Sequence, residues 1–136
     1  MRFLPVLVLA SVFALVSADV AADTSTFRDA SGNAAGSAST SGSRTTFRDR
    51  SGNVTGTAEQ EGSGRISFRD RSGNRTGFAE ISGNKITFRD RSGNVTGYGE
   101  RNGSTVIYRD RSGNRIGSSE SSGGNIIFRD PAGNRW

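Results

Sequence analysis

The sequence predicts an all-β fold: tandem β-hairpin repeats of about 20 residues forming an extended or coiled antiparallel sheet, β-solenoid-like in form. Three observations carry this expectation. Aromatic-Arg-Asp triplets begin at Phe27, Phe47, Phe68, Phe88, Tyr108 and Phe128, a near-constant period along the chain. A Gly-Asn turn follows each triplet, and β-branched or aromatic residues alternate with polar ones around it. Glycine occurs 19 times in 136 residues without any 3.6-residue apolar period, which argues against helices.

Residues 1–22 follow a secretory plan. Met1-Arg2 is a short basic start, residues 3–16 are almost wholly apolar, and small residues offer cleavage after Ala18 or after Ala22. The apolar run falls short of the roughly 20 residues that span a bilayer. Export to a secreted, periplasmic or cell-surface location is therefore expected, with residues 23–136 as a single β-repeat domain of five units and a truncated sixth.

Within a unit, residues 85–90 (Lys-Ile-Thr-Phe-Arg-Asp) read as a first strand and residues 95–100 as a weaker second one. Residues 90–94 (Asp-Arg-Ser-Gly-Asn) join them. The Asp can bond its own backbone two residues on and Gly93 can take positive φ, which predicts a three-residue loop of type I turn plus G1 bulge. Such a loop sets Asp90 against Asn94, Phe88 against Thr96, Thr87 against Gly97 and Ile86 against Tyr98. The pleat then gathers Ile86, Phe88, Thr96 and Tyr98 on one face. Repetition extends that face into an aromatic ladder beside an aliphatic one of Ile66, Ile86, Val106 and Ile126. The opposite face is expected to carry the arginines, with a glycine column through Gly97 and a small-residue column through Ala79 and Gly99. A second turn lies near Gly62, Gly83, Gly103 and Gly123, and residues 61–64 absorb the one irregular spacing. Two strands per unit give about 11 strands, which rarely stay flat without curling or folding back.

The run Asp49-Arg50-Ser51-Gly52-Asn53 and its equivalents, with glycines near the second turn, resembles the YD repeats of Rhs-type proteins over residues 27–134. That resemblance implies strand-turn geometry. It departs from the family where Arg intervenes between ring and Asp, as in Phe88-Arg89-Asp90, and five units are too few to enclose a large cargo.

Chemistry is sparse. The chain has no cysteine and no histidine, so thiolate and imidazole metal ligands and the commonest general base are missing, and no metal or cofactor is expected. The carboxylates recur in every unit, whereas an active site breaks symmetry at one place, so the reading is non-enzymatic. The Asp-x-Ser-Gly-Asn loops lack the ligand alternation and closing Glu of a calcium loop. Asn53, Asn74, Asn94 and Asn102 open glycosylation-like triplets that turn Asn followed by a strand produces by chance. The bacterial exported repeat proteins are the closer parallel.

Arg28, Arg48, Arg69, Arg89, Arg109 and Arg129 are the candidate ligand-binding residues, joined in the loops by Arg50, Arg71, Arg91 and Arg111. They form a basic stripe suited to polyanions or glycans, or pair with neighbouring carboxylates as a solvated ladder. A net charge of +5 falls short of a dedicated nucleic-acid binder, and no nucleic acid is expected. The expected role is an exported structural, surface or adhesion module, with polyanion or glycan binding through the arginine column as the alternative. Self-association through open strand edges belongs to the first of these. Ice or crystal-surface binding through Thr55, Thr76 and Thr96 is a remoter alternative, because Ala35 and Ile116 interrupt that column.

Overall fold

The computed structural model describes residues 24–62, 64–122 and 124–135. The signal-peptide expectation for residues 1–22, and the turn expected at Gly123, lie outside them. Eleven strands follow in order: β1 (Thr24–Arg28), β2 (Ala34–Ser41), β3 (Arg44–Asp49), β4 (Val54–Glu61), β5 (Arg65–Asp70), β6 (Arg75–Ser82), β7 (Lys85–Asp90), β8 (Val95–Asn102), β9 (Thr105–Asp110), β10 (Arg115–Ser122) and β11 (Asn125–Arg129). Each pairs with the next in antiparallel fashion, and β1 returns to pair with β11 in parallel. The sheet is a closed barrel, not the extended or solenoid-like sheet the repeat predicts.

Closure through a parallel pair follows from arithmetic, because an odd number of up-down strands brings the first and last together pointing the same way. The seam joins Phe27 to Ile126 and Arg28 to Ile127, with Arg28 Nε donating to Asn125 Oδ1 at 3.1 Å. Every described strand has a neighbour on both sides, so the open strand edges behind the expected self-association are not found among the described residues.

Register is the second correction. The predicted loop forms: Gly93 N donates to Asp90 O, Asp90 N donates to Asn94 O, and Gly93 has φ of 95°. Just beyond it the ladder slips, so that Arg89 faces Val95 but Phe88 faces Gly97. Thr96 is the extra residue of a second bulge, and Tyr98 faces Thr87 rather than Ile86. The same slip recurs in each hairpin, leaving Ala35, Thr55, Thr76 and Ile116 between the shifted pairs. Thr55 and Thr76 hold the bulge by donating their hydroxyls to Phe47 O and Phe68 O at 3.3 Å. A one-residue slip exchanges faces, so the small-residue columns turn inward and Tyr98 turns outward.

The inward turn explains the core. Ala58 lies directly opposite Phe68, Ala79 opposite Phe88, Gly99 opposite Tyr108 and Ser119 opposite Phe128. Odd-numbered strands supply a ring and, in most repeats, an aliphatic residue; even-numbered strands supply glycine, alanine and, in β10, Ser119. Large against small around the circle fills the interior, and the rings and aliphatics are buried. The aromatic and aliphatic ladders are therefore core residues as expected, while their partners across the pair are different.

Candidate functional site

All six Asp-containing loops emerge at one end of the barrel, because each follows an odd-numbered strand, the first five leading into the even strand after it. Their chemistry is uniform. The Asp Oδ1 accepts backbone N–H from the residues two and four positions on, as Asp90 does from Ser92 at 2.9 Å and Asn94 at 3.0 Å. The arginine before each Asp donates Nη1 to the carbonyl of the loop glycine, at 2.9 Å for Arg89 to Gly93 and 3.1 Å for Arg109 to Gly113. Arg28, Arg48, Arg69 and Arg129 do the same. The candidate arginines thus brace their own loops, a role the repeat spacing does not reveal.

Bracing leaves much of each guanidinium available. Arg89 additionally pairs with Glu80 at 2.7 Å and Arg109 with Glu100 at 3.6 Å, so the ladder of charge pairs is real for these two. Arg48, Arg69 and Arg129 make no ion pair among the described residues. The loop residues Arg71, Arg91 and Arg111 are exposed and equally unpaired there, whereas Arg50 reaches Asp29 at 3.9 Å.

Charge is divided unevenly between the two ends. From each Arg-Asp dipeptide through the following bulge, the loop end carries thirteen arginines and six aspartates. The other end carries Arg44, Arg65, Lys85 and Arg101 against five glutamates. One rim is strongly basic and the opposite one close to neutral.

Hydrogen bonds from the loop backbone hold two of the aspartates below the usual carboxylate range. For Asp90 the Asn94 N–H is the largest cause, opposed by desolvation; for Asp110 the Asn114 N–H plays the same part. A folded value depressed below 3.8 means that these carboxylates contribute stability above the ordinary carboxylate value and lose it as pH falls through the lower, folded one. The melting temperature is therefore expected to drop on acidification below about pH 4. Asp90→Asn should flatten that drop, measurable by circular dichroism melts across pH 2–6.

Between neighbouring loops lie open clefts. One, of about 580 Å3, is lined by Asp70, Arg75, Thr76, Asp90, Arg91 and Ser92. Another, of about 560 Å3 and one repeat further on, has Val95 where the first has Arg75. Sequence reading finds the arginines but not these clefts, whose walls come from loops one repeat apart. Comparison with protein-family models, with characterised proteins and with solved structures found no match.

Proposed function

We propose that the chain is a non-enzymatic interaction module, exported to act at a surface, whose working face is the arginine rim and whose ligands are polyanions such as acidic or sulfated glycans. The observation that carries this reading is the charge division: a neutral end opposite a rim with twice as many arginines as aspartates. Fixed cations held at regular intervals on a braced scaffold attract an extended anion without the entropy cost of ordering long side chains. Carboxylates on the rim are occupied in holding loops, which suits a binding surface better than acid–base chemistry.

Retention on a heparin column at low salt is expected, with elution shifting steeply as ionic strength rises. Reversing Arg71, Arg91 and Arg111 to Glu should abolish retention, while reversing Arg44, Lys85 and Arg101 at the far end should leave most of it. Passage of the parent protein through the column unretained would sink the reading.

A further inference from the structure

Arg75 and Arg115 share a position held by Val54 and Val95 in other units, but Arg75 precedes the ring of Phe78 where Arg115 precedes Ser118, and this sets apart the cleft between the 70–74 and 90–94 loops. Where the neighbouring cleft has Val95, this one has Arg75, and the Nε and Nη2 of Arg75 are buried without a hydrogen-bond partner. The Arg75 guanidinium lies 4.9 Å from the centre of the Phe78 ring and that of Arg65 lies 4.1 Å from it. Arg69 is opposite Arg75 in the ladder. None of these three cations makes an ion pair among the described residues, and Arg91 on the far wall of the cleft makes none either. Cation–π contact with one ring offsets part of the cost of holding so much positive charge together. It leaves two buried N–H donors unsatisfied, which is costly until an acceptor arrives.

The walls restrict what that acceptor can be. Asp70 and Asp90 flank the cleft, each with Oδ1 occupied by backbone N–H groups. Their remaining oxygens repel a multiply charged phosphate but accept hydrogen bonds from hydroxyl groups. Ser92 adds a hydroxyl that donates or accepts, and Thr76, whose proton goes to Phe68 O, adds one that accepts. A planar carboxylate fits a guanidinium edge-on, and a sugar ring supplies the hydroxyls.

We infer that this cleft binds a hexuronate residue of an acidic glycan, with the sugar carboxylate on Arg75 and Arg91 and the ring hydroxyls on Asp70, Ser92 and Thr76. The inference rests on the rim being a polyanion-binding face and names the chemistry that face selects.

The test is a calorimetric titration of the full chain with trigalacturonate, with tripolyphosphate and a neutral galactose trimer as comparators. Trigalacturonate is expected to bind at one site per chain and more tightly than either comparator. Arg75→Val should weaken it by about tenfold or more, the loss of one charge-assisted hydrogen bond. Val54 and Val95 already occupy the equivalent place, so the variant keeps a residue the fold accepts. Arg91→Ala, which copies Ala30 of the first loop, should weaken it similarly. Tripolyphosphate or the neutral trimer binding as tightly as trigalacturonate would overturn the assignment, as would parent-like affinity in both variants. Heparin retention surviving such a result would leave the rim reading standing; loss of both would remove both.

Discussion

Gly97→Ala is expected to destabilise the barrel by about 2–3 kcal/mol, whereas Gly99→Ala, two residues along the same inward face, is expected to be close to neutral. The difference lies in what each added methyl meets. A Cβ on Gly97 would stand 2.7 Å from Arg109 O, a backbone atom of the next strand held in the ladder. Gly36 and Gly56 face Arg48 O and Arg69 O at the same distance, so the close approach is a property of the repeat. Each such glycine directly follows the bulged residue, where strong local coiling brings the neighbouring strand inward and the sheet turns enough to close. On Gly99 the methyl would meet Ile86 Cδ1 at 3.3 Å and Ile86 Cβ and Phe88 Cε2 at 3.4 Å. Those are side-chain atoms at the edge of ordinary contact, not backbone, and Ala38, Ala58 and Ala79 fill the equivalent sites in other repeats. The lower unfolded-chain entropy of alanine also works in favour of the second variant. Urea midpoints for the two variants would measure the contrast. Equal losses would mean that the bulge does not set the curvature.

That contrast also shows how far the sequence is legible. Strand count, loop type, the positive φ of Gly93, and the aromatic and aliphatic ladders all follow from local rules, because hairpin turns and alternation are encoded within a few residues. The bulge is not readable in that way. Thr96 and Ile116 look like ordinary strand residues, and only the glycine after each of them hints that a residue has been added. Missing one residue transfers Tyr98, Gly97 and Gly99 to the wrong faces, and with them the explanation of the small-residue columns. Closure is a further step removed. It depends on curvature summed over eleven strands, a quantity no single unit carries. The arginines are visible in the sequence as a column, yet their bond to the loop glycine carbonyl needs the folded turn, and the cleft at Arg75 needs the register. Its signal in the sequence is Arg75 together with Phe78, where Val95 is followed by Tyr98 and Arg115 by Ser118.

Tyr108→Phe is expected to cost about 1–2 kcal/mol, and adding Ser119→Ala to it is expected to recover much of that loss. Tyr108 replaces the phenylalanine of every other unit, and Ser119 replaces the alanine or glycine. The two hydroxyls lie 2.7 Å apart inside the barrel, with both residues about 1 % exposed. Removing the phenol strands the buried serine hydroxyl, while removing both restores the Phe-with-Ala combination found at Phe47 and Ala58 and at Phe68 and Ala79. A double-mutant cycle should therefore give a coupling on the order of 1 kcal/mol. Burial pushes the Tyr108 phenol well above its ordinary value near 10, and the bond to Ser119 only partly opposes this. The folded state thus keeps a proton that the unfolded chain gives up, so the contribution is intact below pH 10 and declines as pH rises beyond it. The double variant, lacking this group, should lose stability less steeply between about pH 10 and 12. Additive single-variant losses would show that the pair is not coupled, and an identical alkaline slope in parent and double variant would show that burial of the Tyr108 phenol does not set the alkaline loss.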